Sequence, residues 1–252
     1  MERSRDMTEC LSPDGIGCAH LEPDDAVIAG ALGTWVLTIT VGSRGVAADG
    51  RIRVFTDTDT DWGTPQFLDP VGQDYATVEG PEDVSLSAVA HGGSSLTLGV
   101  SKRPLRPGER VRVVLGDRSG GGPGSRAQTF LESRRFFRVA IDSDASGNCE
   151  DLPSPPWVEV VGGPADRLVV LAPSTVAAGE PFRLMVKAED AWGNPSAEYA
   201  GSVAIASDGV GLPEDSLAFT SANRGVRWIE GCTAFGPGLA HIQVEDPETG
   251  LI

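Results

Sequence analysis

Seven consecutive residues, Trp35-Val36-Leu37-Thr38-Ile39-Thr40-Val41, constrain this chain most tightly. Trp35, Leu37, Ile39 and Val41 fall on one side of a two-residue repeat, with Thr38 and Thr40 on the other. That alternation marks a strand with one buried face. Residues 51–55, 84–90, 96–100, 110–115 and 135–141 continue in the same style. Nowhere does a 3.6-residue apolar period last three turns, so almost no helix is expected. The 32 glycines and 18 prolines spread along 252 residues supply the turns such a chain needs. Short strands separated by turn signals predict antiparallel sandwiches.

The length suits two domains, each able to bury a core. The reading divides the chain into a polar leader (1–25), a β-sandwich domain (26–150), a proline-rich linker (151–157) and an immunoglobulin-like domain (158–252). The linker rests on Asp151-Leu152-Pro153-Ser154-Pro155-Pro156, whose three prolines favour an extended spacer. Strands of the second domain are expected at 167–171, 182–189, 202–207, 217–220, 225–230 and 239–245. Leu239, Ile242 and Val244 are the apolar positions of the last one. Asp246-Pro247-Glu248-Thr249-Gly250 then carries turn chemistry, with only Leu251 and Ile252 behind it. The fold expected is all-β: two antiparallel β-sandwich domains, the second immunoglobulin-like and missing its last strand. The two domains also echo each other. Pro107-Gly108-Glu109-Arg110 and Ala178-Gly179-Glu180-Pro181 both launch an alternating strand, which reads as shared turn chemistry.

A net charge of −16 argues against nucleic acid or an anionic membrane as partner, since phosphate contact needs clustered Lys and Arg. No apolar run approaches the roughly 20 residues of a membrane helix, and residues 1–25 carry no secretory signal pattern. A cytoplasmic chain is the expectation. Of four cysteines, only Cys10 and Cys18 are close in sequence. Those two suit a disulfide in an exported protein, and free thiols are expected otherwise.

Three stretches belong together: Thr60-Asp61-Trp62-Gly63-Thr64-Pro65-Gln66; the run 116–130, Gly-Asp-Arg-Ser-Gly-Gly-Gly-Pro-Gly-Ser-Arg-Ala-Gln-Thr-Phe; and Ala188-Glu189-Asp190-Ala191-Trp192-Gly193-Asn194-Pro195. In this order the chain resembles the N-terminal region of the bacterial domain-of-unknown-function 3604 family, relatives of the PHP metal-dependent phosphoesterases. The resemblance runs from about Gly33 to the end. It implies β-sandwich modules placed before a metal-binding catalytic domain, and that domain would be the partner of this chain. Such a domain opens with a Gly-Asp-Leu-His type motif, which is absent here, so no catalytic residue is carried over. The function expected is a non-catalytic accessory region of a larger hydrolase. The alternative is a stand-alone binding module for carbohydrate or protein.

The residues themselves offer little chemistry. His20, His91 and His241 are scattered, with no metal-ligand spacing. His91-Gly92-Gly93-Ser94-Ser95 reads as a turn. The glycine-rich run lacks the Lys-Ser/Thr of a phosphate loop. Within it, Asp117, Arg118, Arg126 and Gln128 are the candidates for a contact with the implied catalytic domain, since Arg pairs well with carboxylates. Two acidic loops resemble half of a calcium site: Asp57, Asp59 and Asp61 in one, Asp142 and Asp144 in the other. In each the twelfth position, Leu68 or Pro153, lacks the bidentate Glu. Solvated turn carboxylates are expected there, with no resident metal or cofactor. Trp62, Trp157, Trp192 and Trp228 would stack on a sugar only if they shared one surface.

Overall fold

Burial of one face in every long strand organises the computed structural model, which describes residues 15–55, 59–91 and 95–252. The chain divides after Val160 into two units. Both are built from antiparallel strands, and the one helical element among the described residues is a single 3-10 turn, Ser221–Asn223.

In the first unit the Trp35–Val41 strand pairs with Gly17–Glu22 on one side and Arg110–Leu115 on the other, with Ala76–Glu79 beyond. A five-stranded sheet runs in the order Glu150–Asp151, Arg138–Asp142, Arg51–Phe55, Ser95–Ser101, Ser85–His91. Leu37, Ile39, Val41, Val111 and Val113 of the first sheet share one core with Ile52, Val54, Leu98, Val139 and Ile141 of the second. This is a sandwich, with its apolar positions at the alternation read from sequence. Smaller pairings close its margins: Ser125–Arg126 with Leu32–Gly33, and Glu132–Phe136 with Trp157–Val161.

Two boundaries differ from the sequence reading. The expected polar leader contributes the Gly17–Glu22 strand, in register from Gly17–Val41 to Glu22–Val36, with Leu21 buried in the core. The proline-rich stretch is not an inter-domain spacer. Glu150–Asp151 pairs with the Arg138–Asp142 strand, and Leu152 is buried, its N–H donating to Val139 O. The prolines end that pairing, and Trp157–Val161 returns to the same unit, where Val158 and Val160 are core residues. Proline carries no N–H for a ladder, so Pro153, Pro155 and Pro156 mark a crossing between strands.

In the second unit, Arg167–Leu171, Pro181–Glu189, Val226–Ala234 and Val210–Gly211 form one sheet, in that order. Ser216–Ala218, Ser202–Asp208 and His241–Glu245 form the other. Leu168, Leu184, Val186, Ala188, Val203, Ile205, Leu217 and Ile229 fill the core. Ile242 and Val244 pack against it, while Leu239 lies exposed ahead of the strand it was expected to join. Buried Asp246 holds the turn that follows, accepting from the Glu248 and Thr249 N–H groups and from Tyr199 Oη at 2.6 Å. Among the described residues the His241–Glu245 strand has one ladder partner, Ser202–Asp208.

The echo between the units is a shared backbone turn. Gly108 and Gly179 adopt φ of 81° and 78°, a region that favours glycine. Each donates its N–H to a neighbouring strand, at Val41 O and Ala234 O. The next residue, Glu109 or Glu180, closes the turn on the carbonyl three residues back. The side chains diverge: Glu109 pairs with Arg103 at 2.8 Å, while Glu180 is exposed.

Candidate functional site

The two loops with the most distinctive sequences, 59–75 and 116–130, lock onto one another in the first unit. Trp62 inserts edge-on into the core, 4.6 Å from the Trp35 ring and 5.2 Å from Phe137. The Thr60 hydroxyl accepts the Trp62 N–H and donates to Gln128 Oε1. Gln128 is 0% exposed, and its amide nitrogen donates to Phe130 O and Glu132 Oε2. Asp61 accepts from both the N–H and the hydroxyl of Thr129, and lies 3.6 Å from Arg126. Asp74 accepts from the Ser125 hydroxyl and the Arg126 N–H.

The four contact candidates are therefore placed within this knot. Gln128 is buried at its centre and presents no surface to another domain. Arg126 also donates to Asp61 O, and Arg118 donates to Leu32 O at 2.8 Å. Asp117 accepts from the Ser119 N–H and the Thr77 hydroxyl, which hold its carboxyl below the usual range. Arg118 is the exposed member of the four. Replacing Gln128 with Ala should strip partners from Thr60 and Glu132 and destabilise the first unit by about 1–3 kcal/mol. Urea unfolding of the full chain measures this.

In the second unit the Asp190–Asn194 loop is built around one carboxylate. Buried Asp190 accepts from the N–H groups of Gly163, Trp192 and Asn194 and from the Asn194 amide. The Trp-Gly-Asn run thus serves the turn, and Trp192 projects from it, half exposed.

The tryptophans serve different settings. Trp62 is core, and Trp157 lies in the first unit near Arg134, whereas Trp192 and Trp228 belong to the second. A different surface emerges instead, on the outer face of the second unit's four-stranded sheet. Leu171, Met185 and Trp228 stand directly opposite one another across three strands. Leu171 is 49% and Trp228 47% exposed. Val169, Lys187 and Val226 form the adjoining row. Charges frame the strip: Arg183 and Glu230 on one side, Arg167, Lys187 and Glu189 on the other. The Arg183 guanidinium lies 4.3 Å from the Trp228 ring centroid. An apolar centre with a charged rim is the anatomy of a docking surface. Sequence alternation could have found it, because Val169, Leu171, Met185 and Val226 are apolar at positions where a solvated face calls for polar residues.

Of the first acidic loop, Asp57 lies outside the described residues, Asp59 is exposed, and the Asp61 oxygens are engaged by Thr129 and Arg126. The second loop keeps its shape. Asp142 Oδ2 accepts the Gly147 N–H, and Asp144 Oδ1 accepts the Ser146 N–H. Among the described residues no three His, Cys, Asp or Glu side chains form a ready metal cluster. Gly92 to Ser94 lie outside the described residues, as does Cys10. Cys18 is disulfide-bonded, correcting the expectation of free thiols, while Cys149 and Cys232 are free. No helix among the described residues is long and apolar enough to cross a membrane.

These features define a pair of antiparallel β-sandwich modules. No protein-family model matches the chain, and no curated protein matches it. Among solved structures it is similar to the type II cohesin dyad from the adaptor ScaA scaffoldin of Acetivibrio cellulolyticus. That similarity has 10% identity and a TM-score of 0.31, and covers 91% of this chain and 88% of the other.

Proposed function

We propose that the two units are non-catalytic β-sandwich modules, and that the second docks onto another protein domain through the Leu171–Met185–Trp228 face. The register-aligned apolar row carries this reading. Three large apolar side chains side by side on an outer sheet face cost solvation when bare and gain it when covered. A protein surface fits better than a sugar, because Arg183 occupies the Trp228 ring and the neighbouring positions are aliphatic. The occupant favoured is a further domain of the same parent polypeptide. A metal-dependent hydrolase as that domain rests on the three resembling motifs alone. The Cys18 disulfide favours an oxidising compartment over the cytoplasm.

Hydroxyl-radical footprinting tests the docking face. In the native full-length protein, Met185 and Trp228 should oxidise several-fold more slowly than in the 252-residue chain, and Met185→Glu should remove the difference for Trp228. Equal oxidation in both, or a native mass of about 26 kDa with no larger form, rules out an in-chain partner.

A further inference from the structure

The turn between the Arg138–Asp142 and Glu150–Asp151 strands holds a carboxylate oxygen that the fold leaves without a hydrogen bond. Asp142 is 1% exposed. Its Oδ2 accepts the Gly147 N–H at 2.9 Å, so the carboxylate faces across the loop. Its Oδ1 is buried and has no hydrogen-bond partner among the described residues. Arg51 stands opposite Asp142 in register, yet it is exposed and leaves Oδ1 unsatisfied. A buried carboxylate oxygen without a hydrogen bond is costly, and a bound cation relieves that cost.

The rest of the loop supplies further oxygens. Asp144 Oδ1 accepts the Ser146 N–H at 3.1 Å, and its side chain lies in hydrogen-bond range of the Asp142 side chain. The two carboxylates therefore lie within reach of each other. Asp142, Asp144, Ser146, Gly147 and Asn148 occupy positions 1, 3, 5, 6 and 7 of a calcium loop, where side-chain oxygens, a glycine and a backbone carbonyl are required. Glu150 falls at position 9. A cavity of about 370 Å³ opens beside the turn, lined by Arg44, Asp144, Ser146, Asn148 and Glu150 and by neighbours of Asp142 but not by Asp142 itself. Arg44 Nη1 holds Glu150 Oε2 at 2.7 Å.

We propose that this loop is a calcium site, formed by the Asp142 and Asp144 carboxylates, the Ser146 hydroxyl and the Asn148 carbonyl, with Glu150 held in reserve by Arg44. Calcium suits this mixed, flexible oxygen set, whereas magnesium demands tighter octahedral geometry. Two carboxylates without a twelfth-position Glu place the affinity in the weak class, with Kd of about 10⁻⁴–10⁻³ M. The Arg44–Glu150 pair competes with the ion for its ninth-position ligand.

Calorimetric titration of the full chain with calcium chloride, and magnesium chloride as control, tests the site. A saturable calcium signal in that range is expected. It should come with a rise in the first unit's Tm of about 3–5 °C at ten times Kd. Asp142→Asn and Asp144→Asn should each weaken binding by about tenfold or more, through loss of a charged ligand. Asn at 142 still accepts the Gly147 N–H, and Asp144 is exposed, so both variants fold; circular dichroism verifies this. Arg44→Gln should tighten binding by releasing Glu150, and an unchanged affinity would overturn the reserve role. No heat and no Tm shift at about ten times the upper Kd, equal magnesium binding, or calcium binding that survives Asp144→Asn would overturn the site.

Discussion

Trp62→Ala is expected to destabilise the first unit by about 3–5 kcal/mol, the range for removing a large aromatic from a packed core. The side chain is 4% exposed and meets Trp35 and Phe137 edge to face. Such aromatic pairs add about 0.5–1.5 kcal/mol beyond the area they bury. The loss would extend past the cavity, because Trp62 also seats the loop whose Thr60 and Asp61 grip Gln128 and Thr129. Trp62→Phe separates the two contributions. The Trp62 indole N–H is buried with no hydrogen-bond partner among the described residues, so phenylalanine keeps an edge contact and removes a polar atom. Its cost should be about 1–2 kcal/mol. Scanning calorimetry should show the first unit's transition moving far for Ala and little for Phe, with the second unit's unmoved. Equal shifts for both would mean that the indole's shape, not its apolar bulk, seats the loop.

The contrast between Trp62 and Trp228 marks what the sequence could and could not convey. Neither periodicity nor composition says which of the two is core. Long strands were legible because burial of one face imposes a two-residue repeat, as in Trp35–Val41 and Pro181–Glu189. The Gly17–Glu22 strand was not, because only Leu21 is a large buried apolar residue and the ladder with Trp35–Val41 supplies the rest of its order. Two-residue pairings such as Ser125–Arg126 with Leu32–Gly33 are too short to carry any repeat. The proline run misled for a related reason. Proline reports a missing donor, and the same chemistry serves a linker or a crossing within one unit. At the candidate site, Gln128 looked like a surface contact because glutamine is usually exposed. Only the convergence of Thr60, Phe130 and Glu132 on its amide makes burial affordable, and those partners lie as far as 68 residues away. Alternation within each strand flags the apolar residues of the Leu171–Met185–Trp228 face, but their alignment into one row needed strand register.

Asp190→Ala should be the most damaging change in the second unit, at about 4 kcal/mol, because it leaves several buried donors without an acceptor. Gly163, Trp192 and Asn194 all direct N–H groups at this one carboxylate. Burial opposes its ionisation, yet those donors outweigh burial and hold the carboxyl below its ordinary value of 3.8. A depressed folded-state value means the unfolded chain takes up the proton first as pH falls. The stabilisation is therefore present above the ordinary carboxylate range and lost as pH drops through the lower folded-state value. Asp190→Asn keeps one acceptor oxygen but carries no charge, so it isolates the titrating part. Its Tm deficit relative to the native chain should be largest near about pH 6 and should shrink toward about pH 3, as the unfolded native chain takes up the Asp190 proton that the folded chain resists. Other carboxylates in the unit, Glu189 and Asp246 among them, are also held low and titrate in both proteins, so they cancel in the difference. A deficit constant across that window would show that the loop reads the carboxylate's shape and not its charge, and would assign the acid sensitivity of this unit to Asp246 and Glu189 instead.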